Sequence, residues 1–465
     1  MNNQSSMNAV EDCTSETSQR ELAAGMPETK TKILVCNAGS SSLKFSLFDA
    51  EDELLLADGG IDWLTKPARL VFRGANQPEI REELKLEKHA DAVARILDDL
   101  QAGASAALQS AEDLRAVGHR VVHGGDRYTS AVRITAEVKR TIEELTELAP
   151  LHNPPSLEGI NAVEQVLPKV PQVAAFDTAF HATLSEAART YPLPQKWTRE
   201  WGIRRYGFHG LSHSYCTGQA AKIIGRRGLR LVIAHIGNGA SVAAVRDGVC
   251  VDTSMGFTPL EGLMMATRSG TVDPGILIYL LRHKGLDAEE LDNALNYQSG
   301  LLGISGISSD LRQILSELPH NPDARLAVDV YVHRIVQTIG AMAATLGGID
   351  ALVFTAGVGE HAAKIRKRVC EKLKYLGLEL DPAANETCQP DSDIATPAST
   401  ARILVIATRE DLTIMRETRR LIDSSLGRHR GNEHARPSLI IDENNRQTSA
   451  PLGQKRASPV KERTK

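Results

Sequence analysis

The sequence of 465 residues has few aromatic side chains, no paired cysteine motif and no apolar run of bilayer length. Aromatic residues make up 4% of the chain, so a base-stacking surface for nucleic acid is not expected. The net charge of −4 also argues against a nucleic-acid partner. Six cysteines lie far apart without a Cys-x-x-Cys pair, which favours a reducing cytoplasm over a zinc site or a disulfide framework. Neither a membrane span nor a secretory signal is predicted.

The chain also lacks the common phosphate loop G-x-x-x-x-G-K-[ST], and it contains no Gly-Lys dipeptide. Residues 33–49, ILVCNAGSSSLKFSLFD, instead predict a strand, a tight Gly/Ser turn and a second strand. Such a turn presents backbone N–H groups, hydroxyls and one ammonium group, which suits the oxygens of a polyphosphate. Taken alone, the segment is equally consistent with an ordinary hairpin that has a serine-rich turn.

Strands and helices alternate along the chain, which predicts an α/β architecture. The predicted strands are Ile33–Val35, Ala116–Val122, Gln172–Phe176, Leu231–His235, Leu352–Thr355 and Ile403–Ile406. The predicted helices are Ala90–Gln101, Ala136–Ala149, Ser156–Val166, Arg325–Leu346 and Leu412–Ile422. Residues 1–30 are polar and aperiodic and are interpreted as a flexible leader, and residues 424–465 as a disordered, solvated tail. Docking of the basic tail on an acidic surface is the less favoured alternative.

Three glycine turns follow predicted strands: the first hairpin, His235–Gly239 and Gly357–Ala362. Ligands of open α/β sheets bind beyond the strand ends, so these turns are expected to converge on one cleft. The third turn fits G-x-G-x-x-A, but it comes late in the chain and outside a first βαβ unit. It is therefore a weak indication of a dinucleotide site, which is not the favoured interpretation, and close helix–strand packing is a plausible explanation of the glycines.

Two arginines stand in settings that read as buried. Arg120 lies in the predicted strand GHRVVHGG, and Arg268 lies in a glycine-rich loop. A buried guanidinium is unfavourable unless it is paired, so each needs a carboxylate or an anionic ligand. The His209-x-x-x-His213 spacing is a poor zinc motif, and hydrogen-bonded structural histidines are the better interpretation.

Taken together, these segments resemble the acetate kinase (acetokinase) family of the sugar-kinase/Hsp70/actin superfamily. Over residues 32–422, in the order and spacing of the family, the matching runs are NAGSSSLKFSLFD, GHRVVHGG, APLHNPP, AFDTAFH, RYGFHGLSH, HIGNGAS, DTSMGFTPLEGLMMATRSGTVDPG, SDLR, FTAGVGEH and TREDL. The resemblance implies an α/β, two-domain fold of duplicated βββαβαβα topology and a homodimer. It implies an N-terminal domain of residues 31–178 with the C-terminal helix of about 412–423, and a second domain of residues 179–411.

The resemblance further implies reversible, direct in-line phosphoryl transfer from ATP to acetate, giving acetyl phosphate and ADP. The catalytic residues it implies are Arg120, Asp177, His209 and Arg268. The nucleotide-binding residues it implies are Lys44, His235, Ile236, Gly237, Asn238, Gly239, Asp310, Leu311, Arg312, Gly357, Val358, Gly359, Glu360 and His361. It assigns Asn37 and Glu410 to Mg²⁺, for which Mn²⁺ can substitute.

The family describes the equivalent of Asp177 as an acid or base, but acetate is already deprotonated near neutral pH and has no proton to lose. We therefore expect Asp177 to orient Arg120, Arg268 or a magnesium-bound water. The resemblance places the acetate methyl group in an apolar pocket of Val122, Leu151, Phe208 and Pro259, with Arg120 at the carboxylate. Two alternatives stay open: a propionate or butyrate kinase of the same family, and a non-catalytic nucleotide-binding module.

Overall fold

The computed structural model describes residues 31–63, 66–74, 78–86, 89–102 and 106–427, with side chains to residue 424. The leader of residues 1–30 and nearly all of the tail predicted from residue 424 lie outside these described residues. Within them the chain forms two β-sheets with helices on their faces. No helix of this described part is both long and apolar enough to cross a membrane.

The first sheet has the strand order β5-β4-β3-β2-β1-β6-β8-β7. Its strands are β1 (Lys32–Ala38), β2 (Ser42–Asp49), β3 (Leu54–Asp62), β4 (Ala68–Gly74), β5 (Ile80–Leu84), β6 (Leu114–Val121), β7 (Val132–Arg133) and β8 (Gln172–Phe176). The β1–β2 hairpin is confirmed, and its register places Asn37 opposite Lys44. The two side chains therefore project from neighbouring strands at the turn end of the hairpin.

The second sheet has the order β11-β10-β9-β12-β14-β13. Its strands are β9 (Arg230–Ile236), β10 (Ala240–Arg246), β11 (Val249–Thr253), β12 (Ala351–Thr355), β13 (Ser392–Asp393) and β14 (Arg402–Val405). The series β3-β2-β1-β6-β8 and β11-β10-β9-β12-β14 repeat the same pairing: three antiparallel strands joined to two parallel ones. This repetition confirms the predicted duplicated α/β fold.

Helices cover both sheets and bury the parallel strands on two sides, so β8 and β12 are buried at every residue. In chain order the α-helices are α1 (His89–Gln101), α2 (Ala136–Glu144), α3 (Asn153–Val166), α4 (Glu186–Arg189), α5 (Gln195–Trp201), α6 (Gly210–Ile224), α7 (Pro274–His283), α8 (Ala288–Tyr297), α9 (Gly300–Ser305), α10 (Leu311–Glu317), α11 (Pro322–Leu346), α12 (Ala356–His361), α13 (Ala363–Lys372), α14 (Pro382–Thr387) and α15 (Glu410–Gly427).

Two elements differ from the sequence prediction. The predicted helix Ala136–Ala149 ends at Glu144 and continues as a short 3₁₀ turn. Residues Gly357–His361, predicted as a turn, form helix α12, which starts directly after β12. Glycines disfavour a helix by propensity alone, so contacts from distant residues must hold it.

The last helix returns to the first sheet. The Ser46 hydroxyl donates to Asp411 at 2.9 Å, and Arg416 and Arg419 both pair with Glu53. These contacts support the assignment of this helix to the N-terminal domain. The domain boundaries themselves stay a prediction.

Candidate active site

A buried ion pair forms where strands β6 and β8 end side by side. Arg120 is the penultimate residue of β6, and Asp177 follows β8 directly. The Arg120 guanidinium donates to Asp177 through Nη2 at 2.6 Å and through Nε at 3.1 Å. The Asp177 side chain is 1% exposed, whereas that of Arg120 is 21% exposed. The bidentate contact therefore fixes the plane of a guanidinium that remains open on one side.

A second carboxylate faces the same guanidinium. Glu410 Oε2, at the start of α15, lies 3.8 Å from Arg120 Nε. Burial opposes the charge of Arg120, but Asp177 and Glu410 outweigh it and raise the pKa of the guanidinium above its ordinary value. Arg120 is therefore a permanent, oriented cation in this site.

Arg268 contrasts with Arg120. It lies in the loop between β11 and α7, where its Nη1 is 3.4 Å from the Pro259 carbonyl and 3.9 Å from Met265 Sδ. Within the part of the chain that the structure describes, it pairs with no carboxylate. Burial lowers the pKa of this guanidinium. A half-buried cation with this little compensation is available to an anionic ligand.

The turn between β9 and β10 brings His209 and Arg268 together. A Cβ atom added to Gly239 would lie 3.4 Å from His209 Nε2 and 3.5 Å from Arg268 Nη1. The space above Gly239 is thus bordered by an imidazole nitrogen and a guanidinium. A glycine here leaves this space free for a ligand to approach the backbone closely.

His209 is held tightly on several sides. It adopts φ of 57°, in the left-handed region, immediately before α6. Its Nδ1 lies 2.9 Å from the Ser241 hydroxyl, and its ring stacks on that of His235 with 4.1 Å between centroids. The preceding Phe208 carbonyl lies 2.9 Å from Nε2 of the buried His181. These contacts fix both the backbone and the ring of His209.

The site favours neutral histidines. Burial, followed by the neighbouring His235 and His213 and then by Arg120 and Arg268, lowers the pKa of His209 well below its ordinary value. Burial, with Arg268 and Arg120, lowers the pKa of His152 to about 4. The lowered pKa favours a neutral His209, which can donate or accept hydrogen bonds in this site.

A cavity of about 810 Å³ opens along the first sheet and adjoins the ion pair through Glu410. Asn37, Lys44, Thr408 and Glu410 all line it, so the residues predicted for the metal lie in one cavity with a lysine. Amide and carboxylate oxygens are ligands that Mg²⁺ accepts, and Mg²⁺ commonly binds through one or two carboxylates together with phosphates and waters. In the described residues no cluster of three acidic, histidine or cysteine side chains forms a metal cage. The donor set fits a cation that binds together with a nucleotide.

Two of the three segments predicted to bind the nucleotide lie next to each other. A Cβ on Gly237 would lie 3.6 Å from the Ala356 side chain at the start of α12, so the second and third glycine segments are neighbours. The Glu360 carboxylate accepts from the Thr408 amide at 2.8 Å. Asp310 caps α10 and binds Arg312, whose side chain is 90% exposed.

Some predicted side chains point into the core. Ile236 and Leu311 are both buried in the large hydrophobic cluster of the second sheet. Only their backbone groups are therefore available to a nucleotide. Of the predicted apolar pocket, Val122 and Phe208 are buried in this same cluster and Pro259 is half-buried, whereas Leu151 is 46% exposed.

The sequence interpretation missed Arg366, which is 2% exposed. Its guanidinium donates to the carbonyls of Gly359 and Glu360 at 3.0 and 2.7 Å, and to the side chain and carbonyl of Asn385. It therefore satisfies carbonyls at the end of α12 and explains why a glycine-rich segment is helical. Its only sequence signal is its spacing from the apolar Val369 and Cys370.

Comparisons with known proteins agree with this geometry. The description "Acetokinase family" applies to a sequence profile that matches residues 32–416. This chain belongs to the acetokinase family. The acetate kinase of Acaryochloris marina is 50% identical over 390 residues, which are 82% of this chain and 98% of that protein.

Two solved structures are similar over 84% of this chain and the whole of their own. The crystal structure of Porphyromonas gingivalis acetate kinase gives a TM-score of 0.79 at 42% identity. A propionate kinase from Francisella tularensis gives a TM-score of 0.79 at 40% identity. The fold is therefore that of the acetate and propionate kinases.

Proposed function

We propose that this protein is an acetate kinase that transfers a phosphoryl group reversibly and in line from ATP to acetate, giving acetyl phosphate and ADP. The observation that carries the proposal is the pair of half-buried guanidinium groups. Arg120 is held by two carboxylates, and Arg268 has no carboxylate partner among the described residues. Two fixed cations beside a hydrogen-bonding imidazole match the charge that spreads over a transferring phosphoryl group.

In this mechanism Arg120 and Arg268 bind anionic oxygens of acetate and of the transferring phosphoryl group. His209 is neutral and offers a hydrogen bond to the same oxygens from the space above Gly239. The acetate carboxylate is the nucleophile and carries no proton at neutral pH, so no base is required. Asp177 then orients Arg120, which its two hydrogen bonds support.

Asn37 and Glu410 would hold Mg²⁺, or Mn²⁺ in its place, together with the nucleotide phosphates. When bound, the ion supplies neutralisation of phosphate charge. Lys44 lines the same cavity and is available to the nucleotide phosphates. The glycine segments around Gly237 and Gly359 are assigned to the nucleotide because backbone there can approach a ligand closely.

Acetate is proposed as the preferred substrate because Val122, Phe208 and Pro259 retain bulky side chains around the assigned methyl site. A propionate kinase is the second candidate, favoured by the equal structural similarity to the Francisella tularensis enzyme. Leu151 is 46% exposed, so we assign it to the rim of this pocket.

We further propose a homodimer in the cytoplasm. Helix α7 has no buried residue, and it exposes an apolar set. The exposed fractions are 49% for Ile276, 49% for Ile278, 51% for Tyr279 and 46% for Leu281. An exposed apolar face of this kind fits a second copy of the chain. Sedimentation of Ile278→Glu, with Ile80→Glu as the control, should give a monomer only for the α7 variant.

A hydroxamate assay tests the activity. Purified protein with ATP and magnesium should form the hydroxamate of acetate rapidly, that of propionate more slowly and that of butyrate barely. ATP binding without any acyl phosphate would support the nucleotide-binding module instead. Faster turnover of propionate than of acetate would show that the protein is a propionate kinase.

A further inference from the structure

The Ser241 hydroxyl joins two buried histidines. It lies 2.9 Å from Nδ1 of His209 and 2.8 Å from Nε2 of His213, and both Ser241 and His213 are fully buried. A serine hydroxyl has one hydrogen to donate and two lone pairs with which to accept. The proton arrangement of one imidazole is therefore coupled to that of the other.

The free nitrogen of His213 decides the arrangement. In the described part of the chain, His213 Nδ1 is buried without a hydrogen-bond partner. A buried N–H without an acceptor is rarer and less favourable than an acceptor nitrogen without a donor. His213 therefore carries its hydrogen on Nε2 and donates it to Ser241 Oγ.

The direction of the hydrogen bond between Ser241 Oγ and His209 Nδ1 follows from this arrangement. Within the described residues, the Ser241 hydroxyl has no hydrogen-bond partner besides the two imidazoles. If both imidazoles donated to Ser241, its own buried hydrogen would lack an acceptor. The hydroxyl therefore donates to His209 Nδ1, which places the His209 hydrogen on Nε2, the nitrogen that faces Gly239 and Arg268.

We propose that His213 and Ser241 are positioning residues that hold His209 in the Nε2–H form, so that its N–H points to the space above Gly239. This inference rests on the proposed function, in which the Nε2–H group of His209 donates a hydrogen bond to anionic oxygens of the phosphoryl group. The opposite tautomer would present a lone pair to the same oxygens and would repel them. The low pKa of His209 is consistent with this role, because a neutral ring has a tautomer to fix.

The test is nitrogen NMR of the full-length protein labelled with ¹⁵N-histidine, recorded without substrates. The His209 signals are assigned by their loss in His209→Gln. In the wild type we expect a pyridine-type Nδ1 and a pyrrole-type Nε2 for both His209 and His213. A pyrrole-type Nδ1 on either ring in the wild-type spectrum overturns the proposal, and this reading needs no positioning variant to fold.

Variants then test the coupling. Ser241→Ala and His213→Phe should give His209 Nδ1 partial pyrrole character and lower kcat by about tenfold, with KM for ATP within about twofold. Ser212→Ala is the matched control, because Ser212 is also fully buried and lies 2.8 Å from Nδ1 of a different histidine, His235. The His235 ring stacks on His209, so small shifts are expected, but His209 should keep its pyridine-type Nδ1 and pyrrole-type Nε2.

An unchanged His209 spectrum in both Ser241→Ala and His213→Phe, or an equal change in Ser212→Ala, would contradict the coupling. The wild-type hydroxamate assay reports separately on the proposed function. If the protein lacked kinase activity but showed the expected tautomers, the proposed function would be wrong and the positioning of His209 by Ser241 and His213 would stand.

Discussion

The carboxylate of Asp177 meets the guanidinium of Arg120 edge to edge, with Nη2 2.6 Å from one oxygen and Nε 3.1 Å from the other. The contact joins the ends of two adjacent parallel strands, so the sheet itself sets the direction of the cation. A group committed to two hydrogen bonds with an arginine is well suited to orientation. It is poorly suited to proton transfer, because a proton on Asp177 would break the pair.

Asp177→Asn should therefore lower kcat by roughly 10- to 100-fold, because the Arg120 guanidinium loses its charged anchor and tilts. The dependence of kcat on pH should keep the wild-type shape, since no proton-transferring group is removed. Asp126→Asn, which breaks the more exposed pair with Arg204, is the control and should change kcat little. If kcat of Asp177→Asn did not change over the pH range in which the wild-type kcat changes, Asp177 would be an acid or base after all.

Arg268→Lys should lower turnover by at least about tenfold with the fold intact, because an ammonium group lacks the planar fork of a guanidinium. Steady-state kinetics on the purified variant, with circular dichroism to check the fold, provide the measurement. The exposed Arg199→Lys is a matched control for loss of a guanidinium. Near-normal turnover of Arg268→Lys would remove this residue from the site.

Val122→Ala should narrow the ratio of kcat/KM between acetate and propionate, mainly by improving propionate. A hydrophobic pocket discriminates by only about 1–3 kcal/mol per methylene, so the change is a shift in preference and not a switch. The comparison needs both substrates on both proteins. An unchanged ratio would mean that Val122, although buried beside the site, does not contact the substrate.

The protein should lose stability on mild acidification. Burial lowers the pKa of His119, His123, His181 and His235 to about 4 from an ordinary 6.5. As the pH falls, these histidines take up protons in the unfolded chain before they do so in the folded protein. The free energy of unfolding is therefore fully retained above pH 6.5 and decreases as the pH falls toward 4. For His119, which is 2% exposed, the loss between pH 7 and pH 5 is about 2 kcal/mol by linkage.

Urea unfolding of the wild type and of His119→Leu at pH 7 and pH 5 measures this effect. The variant should lose about 2 kcal/mol less than the wild type between the two pH values, whatever its stability at pH 7. Equal losses for the two proteins would show that His119 is not held neutral by burial.

Much of the fold could be predicted from local patterns. The β1–β2 hairpin and the predicted strands of both sheets follow from apolar, β-branched runs and glycine turns, and the structure contains all of them. Arg120 could be recognised as needing a partner because it sits within such a run. In these cases the apolar run that is visible in the sequence is itself the reason that the strand is buried.

The rest depends on contacts between distant residues. Helix α12 forms across two glycines because Arg366 binds carbonyls at its end, and Arg366 is itself fixed by Asn385. The Ser241 bridge depends on a strand and a helix meeting, with His213 28 residues away along the chain. Ser241 carries no local pattern that marks it as a bridge, and the spacing of Arg366 from Val369 and Cys370 does not reveal which carbonyls it binds.

The most direct test of the central claim is ³¹P NMR of the purified protein with ATP, magnesium and acetate. The account predicts that the γ-phosphate signal of ATP declines as acetyl phosphate appears, and that ADP with acetyl phosphate regenerates ATP. Release of free inorganic phosphate without acetyl phosphate, or no change in any phosphorus signal, would contradict it.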